Sequence, residues 1–201
     1  MPRAHIKRKS TAIDMTAMCD VAFLLLTFFI LTSKFKTEDP VPVDIPGSSV
    51  TIKVPDDVAT LTIGQGKVFF GMEGEAVRRQ TLESVGQKYN MTFTPAEKAV
   101  FETLPTFGVP VGSLKQYLDM DNEKRKEIKQ PGIPTDSVSN ELSNWIIEAR
   151  RSAKALVNKE LRISIKGDSK EEYPTIKKVI DILQKQKVNK FSLITSMRAV
   201  N

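Results

Sequence analysis

Hydrophobic and polar positions divide the chain into one long apolar run near the N-terminus and a remainder of shorter, patterned stretches. From Met15 to Ser33 the sequence reads MTAMCDVAFLLLTFFILTS, with a single charged residue. As an α-helix this run would extend about 28 Å at about 1.5 Å per residue, close to the thickness of the hydrocarbon core of a bilayer. The pattern therefore predicts a transmembrane helix over residues 15–33.

The charges on either side of this run favour one orientation. Four basic residues precede it, and the two that follow are soon offset by acidic residues. The positive-inside bias predicts a basic cytoplasmic leader at 1–14 and an exported C-terminal part. Two other interpretations stay open: a cleavable signal peptide, with Thr32 and Ser33 as a weak cleavage site, and the core helix of a soluble protein. The run is long for a core helix, and no clear small-x-small pattern follows it.

Beyond the apolar run, the pattern changes to that of a linker and then to that of a folded domain. Three prolines between residues 37 and 49, with mixed polarity, predict an extended linker over 34–57. Residues 58–63 and 67–72 alternate in hydrophobicity around a glycine-containing turn, which predicts a β-hairpin.

The last part of the chain predicts a βαβ unit. Residues 161–166 (LRISIK) and 191–195 (FSLIT) alternate as strands do. Between them, residues 173–186 carry apolar side chains at helical spacing. The predicted fold class is thus a single N-terminal transmembrane helix followed by a small two-layer α+β domain at 58–201, built from the hairpin and the βαβ unit.

The middle of this domain predicts helices. Residues 139–156 form one candidate helix, and Thr94-Pro95 before AEKAVFETL is a capped helix start. We interpret the stretch from about 87 to 137 as a helical insertion that projects from the domain.

Composition narrows the possible chemistry. The 201 residues are 40% hydrophobic and 27% charged, with a net charge of +6. The positive charge after residue 40 is diffuse and few aromatic residues could stack on bases, so we expect no nucleic-acid partner. The one histidine, His5, lies in the leader and the one cysteine, Cys19, lies in the apolar run. We therefore expect no metal site, no cofactor, no small-molecule substrate and no enzymatic activity.

Asp20 is the candidate functional residue. An ionised Asp at the centre of a membrane helix costs about 2.5–3.5 kcal/mol on insertion scales. No basic residue lies one helical turn away, since positions 16, 17, 23 and 24 are Thr, Ala, Phe and Leu. The carboxyl group must then be protonated for part of the time, face a hydrated cavity, or meet a polar partner from another subunit.

Two threonines accompany this carboxylate on the same side of the helix. Thr16 precedes Asp20 by four residues and Thr27 follows it by seven, so all three lie near one face. A narrow polar stripe on an apolar helix implies a partner helix. A simpler interpretation also stays open, in which Asp20 lies close enough to the cytoplasmic end to reach water.

The segment around Asp20 resembles the signature of the ExbD/TolR family. Ile13-Asp14-Met15-Thr16-Ala17-Met18-Cys19-Asp20-Val21 is similar to the family pattern of Ile, Asn or Asp, an apolar residue, Thr-Pro, two apolar residues and Asp-Val. Ala17 stands where the family has proline. The predicted hairpin and βαβ unit also resemble the family's domain, so the resemblance covers about 11–72 and 139–197.

The resemblance implies a function that the residue pattern alone does not show. Asp20 would correspond to the family's proton-carrying carboxylate in a proton-motive-force-coupled transducer of the ExbB-ExbD-TonB type. The implied partners are an ExbB-like polytopic ring protein, a second copy of this chain in a homodimer, and a TonB-like protein. The implied location is the bacterial inner membrane, crossed once, with the C-terminal domain in the periplasm. A TolR-like role in the Tol-Pal envelope system and an anchored periplasmic binding module without proton coupling are the alternatives.

A second element of the resemblance lies in the linker. Val43, Asp44, Ile45 and Pro46 resemble a Val-Asp-Leu-Pro element of the family, which implies partner contact or strand exchange. A solvated spacer with ordinary turn chemistry explains the same residues equally well.

Overall fold

The computed structural model describes residues 15–32, 40, 43, 47–48, 58–136, 139–194 and 196–197. The predicted leader at 1–14 lies outside these residues, as does most of the predicted linker at 34–57. The chain divides into two units, Met1–Thr37 and Glu38–Asn201.

The described part of the first unit is a helix, α1, at Met15–Thr32. Among the described residues it is the one helix that is long and apolar enough to cross a membrane. None of its side chains is buried within the chain. Its 18 residues correspond to about 27 Å at about 1.5 Å per residue.

The second unit combines short strands with six helices among its described residues. The strands are β1 (Gly47–Ser48), β2 (Val58–Gly64), β3 (Lys67–Met72), β4 (Thr106–Phe107), β5 (Arg162–Gly167), β6 (Phe191–Leu193) and β7 (Ser196–Met197). The helices are α2 (Glu75–Lys88), α3 (Pro95–Thr103), α4 (Val111–Asp119), α5 (Asn122–Glu127), α6 (Glu141–Val157) and α7 (Tyr173–Lys185).

Five of the strands form a mixed sheet in the order β4-β3-β2-β5-β6. The predicted hairpin is confirmed, since β2 and β3 pair antiparallel with Ala59 opposite Met72. Its turn places Gln65 at φ 55° and Gly66 at φ 71°, the left-handed pair that suits the right-handed twist of a two-residue hairpin. The Glu171 carboxylate accepts hydrogen bonds of 3.1 and 3.2 Å from the Gly66 backbone N–H.

The predicted βαβ unit is confirmed as well. Strand β5 pairs parallel with β2 on one side and with β6 on the other. Helix α7 connects β5 to β6 and buries Val179 and Leu183. The short strands β1 and β7 pair parallel in a separate two-stranded sheet.

Alternate side chains of the strands point into the hydrophobic core. On β2 these are Ala59, Leu61 and Ile63, and their counterparts on β5 are Ile163 and Ile165. They pack with buried side chains of α2, α3, α4, α6 and α7 in one cluster. The mixed sheet with packed helices agrees with the predicted class of one apolar helix plus a small α+β domain.

The interpretation of residues 87–137 as a projecting insertion is wrong. Strand β4, from this segment, pairs with β3 at the edge of the sheet. Phe107 of β4 is 1% exposed, and its ring lies 4.7 Å from that of Trp145 and 5.0 Å from that of Phe101, centroid to centroid. Apolar side chains spaced along the segment gain more by burial in the shared core than by forming a separate subdomain.

Polar contacts also join this segment to the rest of the domain. The buried Arg78 guanidinium on α2 donates 2.7 Å hydrogen bonds to the backbone carbonyls of Met72 and Glu102. Burial lowers the pKa of Arg78, and nearby glutamates partly counter that shift. Across to β3, the Ile133 N–H donates a 2.8 Å hydrogen bond to the Val68 carbonyl, and the Lys67 ammonium donates one of 3.1 Å to the Gln130 carbonyl. Within the segment, the buried side chain of Gln130 accepts a hydrogen bond from Gly108 N–H and donates one of 2.9 Å to the Tyr117 hydroxyl.

Candidate functional site

The candidate membrane site lies on α1, with Asp20 in its second turn. The structure places Asp20, Thr16 and Thr27 on this helix with exposed side chains. At about 100° per residue, their directions fall within about 40° of one another around the helix axis. None of the ion pairs among the described residues includes Asp20.

The Thr27 hydroxyl differs from Asp20 because its own helix satisfies its hydrogen bond. The Thr27 hydroxyl donates a 2.9 Å hydrogen bond to the Leu24 carbonyl of its own helix. Such a bond satisfies a threonine donor inside an apolar helix without help from another chain. Its oxygen keeps a lone pair that can accept a further hydrogen bond. A carboxylate has no comparable partner on the helix backbone, because backbone N–H groups in the helix interior are already bonded.

The remaining predicted site residues fall mainly outside the described part of the chain. Asp44, Ile45 and Pro46 are not among the described residues, whereas Val43 is described and half-buried. The neighbouring residues Gly47 and Ser48 form β1, which pairs with Ser196 and Met197.

The structure also brings together basic residues that appear in the sequence as diffuse charge. A cleft of about 1150 Å³ lies where α6 ends and where β5 and β6 begin. Five basic residues from three separate segments line it: Arg150, Lys159, Arg162, Lys187 and Lys190. In the sequence, the signal for this cleft is that four of these residues lie within four positions before a predicted strand or at its start.

Other side-chain clusters give no comparable candidate in the described ranges. Among residues 15–32, 58–136 and 139–194, no group of three or more His, Cys, Asp or Glu side chains is arranged to hold a metal ion. The buried Glu148 is paired with Arg151 at 2.9 Å and with Lys88 at 4.0 Å, which accounts for its charge.

Comparison with known proteins gives a match to a protein family. The family model described as "Biopolymer transport protein ExbD/TolR" matches residues 7–197, including the segment at 87–137 that the resemblance had left out. No curated protein and no solved structure matches the chain. Since the family match spans nearly the whole sequence, and the apolar helix and mixed α/β sheet domain agree with it, the chain belongs to the ExbD/TolR family of biopolymer transport proteins.

Proposed function

We propose that this protein is the proton-carrying subunit of an energy transducer of the ExbB-ExbD-TonB type, with Asp20 as the proton carrier. The observation that carries the proposal is a lone carboxylate on an apolar helix of membrane-spanning length, without an ion-pair partner among the described residues. Family membership supports a membrane-complex subunit for biopolymer transport. Proteins of this family are not known enzymes.

The physical reason for such a role is the cost of the charge. An ionised Asp20 in hydrocarbon is unfavourable by several kcal/mol, whereas the neutral acid is far less costly. Protonation therefore changes the environment that the α1 face prefers, from hydrated to apolar. A proton that reaches Asp20 from the periplasm and leaves to the cytoplasm supplies about 2.3 kcal/mol per 100 mV of membrane potential. In this way each proton can shift the helix between two positions in a partner complex.

The proposal includes the partners that this movement needs. Every side chain of α1 is exposed in the single chain, so the polar face requires other helices around it. We place two copies of α1 inside a ring of an ExbB-like polytopic protein, with the cytoplasmic leader on the inner side of the bacterial inner membrane. The C-terminal domain would lie in the periplasm and act on a TonB-like protein.

The test compares Asp20→Asn and Asp20→Glu in the full-length chain, co-expressed with its polytopic partner and reconstituted in liposomes. We expect Asp20→Asn to insert and co-purify normally but to abolish proton flux measured with an entrapped pH dye. Asp20→Glu should restore part of the flux, because it retains an ionisable carboxyl group. Thr27→Val is the matched control on the same face; we expect a small effect, since this hydroxyl already bonds its own helix. Full flux in Asp20→Asn would refute the proposal and favour an anchored binding module.

The partners that co-purify decide the finer assignment. Recovery of a TonB-like protein supports the proposed role. Recovery of TolA-like and Pal-like proteins would assign the chain to the Tol-Pal system instead.

A further inference from the structure

The basic cleft at the start of β5 and β6 is a feature that proton transfer at Asp20 does not use. It is formed by the C-terminal part of α6, the connection from α6 to β5, and the connection from α7 to β6. Five basic residues line it against one acidic residue, Glu160. Four of them, Arg150, Arg162, Lys187 and Lys190, take part in none of the ion pairs within the described residues.

The cleft has a neighbouring hollow that is lined mostly by α6. This second hollow, of about 480 Å³, shares Arg150, Glu160 and Leu161 with the first. It adds two more basic side chains, Arg151 and Lys154. The two hollows together, called the groove below, have seven basic residues and one acidic residue in their linings.

The lining of the groove is not only charged. Ile163 and Val188 border the main cleft but belong to the buried core, so the apolar surface open to a ligand comes from their half-buried neighbours. Leu161 and Phe191 are half-buried in the same lining. Apolar side chains thus lie between cationic ones, so a ligand with both acidic and apolar groups would be complementary to the groove.

Electrostatics favour an anionic ligand at this place. Like charges on the walls of a concave, low-dielectric surface reinforce one another and attract opposite charge. Arg151 is already paired with Glu148. The four cations of the main cleft that take part in no ion pair within the described residues repel one another, and Glu160 is the one carboxylate in the lining that can offset this repulsion. A bound polyanion would relieve that repulsion.

We propose that this groove binds an extended, acidic segment of a partner protein. Its volume is too large for a single inorganic anion, and its apolar lining fits the side chains of a peptide whose acidic residues alternate with apolar ones. A bilayer surface is a poor match, because lipid headgroups present a flat layer that does not fill a concave groove. A nucleic acid would require stacking surfaces, and Phe191 is the one aromatic residue in the lining of the main cleft. This inference concerns a binding surface and does not depend on the role of Asp20.

The test measures binding of a fluorescent peptide that alternates Glu and Val to the full-length chain in phosphatidylcholine nanodiscs. We expect binding by fluorescence anisotropy, no binding of a peptide that alternates Lys and Val, and a loss of affinity as salt rises because screening shortens the range of the charges. Arg162→Glu with Lys190→Glu should weaken binding at least about tenfold, equivalent to about 1.4 kcal/mol.

Matched controls make the result specific. Lys124→Glu with Lys126→Glu reverses two exposed charges on α5, outside the groove, and should leave the affinity within about twofold of wild type. If Trp145 fluorescence shows that the variant with Arg162→Glu and Lys190→Glu is misfolded, the neutral variant with Arg162→Gln and Lys190→Gln is used in its place. Asp20→Asn should bind the peptide as wild type does, which separates this inference from the proposed function.

Three outcomes would overturn the inference. The first is unchanged peptide affinity in the folded Arg162 and Lys190 variants. The second is an equal loss in the Lys124 and Lys126 control, which would show attraction by net charge alone. The third is no peptide binding, together with Arg162-dependent binding of phosphatidylglycerol vesicles, which would assign the groove to a membrane surface.

Discussion

Replacement of Phe107 by alanine tests whether the segment at 87–137 is part of the hydrophobic core. The Phe107 side chain is 1% exposed. Its ring meets that of Trp145 edge-on at 4.7 Å and that of Phe101 at 5.0 Å, and it also lies 6.2 Å from that of Phe70. These three partners come from α6, α3 and β3, so Phe107 connects the middle segment to both the sheet and the helical layer.

The expected loss of stability follows from this burial. Full burial of a phenylalanine side chain contributes about 1.5–3 kcal/mol of transfer free energy. Favourable ring pairs add about 0.5–1.5 kcal/mol beyond buried area. Alanine would leave a cavity enclosed by rigid rings, and Phe→Ala changes in cores generally cost about 3–5 kcal/mol. We expect Phe107→Ala to lower the free energy of unfolding by about 4 kcal/mol.

The assay is urea unfolding of the full-length chain in detergent, followed by tryptophan fluorescence. Trp145 is the only tryptophan in the sequence and is fully buried, so its emission reports on the core of the domain. With a slope of about 2 kcal/mol per molar urea, the midpoint should fall by about 2 M. The midpoint rather than the intensity is compared, because the removed ring is a direct neighbour of the indole.

Two matched variants set the scale for this result. Phe70→Ala, in the hairpin, should cost a similar amount, since Phe70 is also fully buried. Ile128→Ala, at a 42% exposed position of the middle segment, should cost less than about 1 kcal/mol. If Phe107→Ala resembled Ile128→Ala while Phe70→Ala was strongly destabilising, the middle segment would not be part of the core.

The same unfolding assay tests three further contacts. Gly108→Ala places a methyl group against the ring of Phe69 and should lower the free energy of unfolding by about 1–3 kcal/mol through overpacking. A urea midpoint equal to that of wild type would show that the ring moves aside freely. Arg78→Met removes two charged hydrogen bonds to backbone carbonyls and should cost about 2–3 kcal/mol; a neutral result would show that water replaces the guanidinium. Burial raises the pKa of Tyr117, so the stability that its neutral form provides is present below about pH 10 and is lost as pH rises further. Tyr117→Phe should therefore lower the free energy of unfolding by about 1 kcal/mol near pH 8, because the hydrogen bond with Gln130 is lost. The difference from wild type should shrink above about pH 10, where the wild-type hydroxyl ionises on unfolding. A difference that stayed constant with pH would contradict a stabilising role for the neutral Tyr117 hydroxyl.

Sequence patterns predicted the elements whose signals are local. The hairpin at β2 and β3 combines strict alternation with a turn that needs left-handed backbone at Gln65 and Gly66. The start of α3 is encoded by a capping box, in which Thr94 and Glu97 each bond the backbone of the other. Helix α7 has a regular apolar face, which follows from spacing alone.

Elements that depend on tertiary contacts were not predicted. Helix α2 begins after Gly74 without a capping side chain and includes Gly86, a residue that costs about 1 kcal/mol in a helix interior. The reason for Gly86 appears only in three dimensions: a Cβ there would lie 2.7 Å from the Met91 carbonyl oxygen and 3.0 Å from the Phe93 ring. The close return of the chain after α2 therefore requires glycine, and no property of the sequence around Gly86 indicates that return.

The two candidate sites differ in the same respect. An acidic residue within an apolar run is unusual at a single position, so Asp20 stands out in the amino-acid sequence itself. Lysines and arginines on a surface are ordinary, and Arg150, Arg162 and Lys190 become unusual only where the C-terminal part of α6 meets two connections of the fold. Because the role proposed for Asp20 depends on a proton and the role proposed for the groove depends on fixed charges, we expect each to be removable without the other. A variant that combines Asp20→Asn with reversal of the groove charges should show the sum of the two separate defects, and any departure from additivity would measure energetic coupling between proton transfer and partner binding.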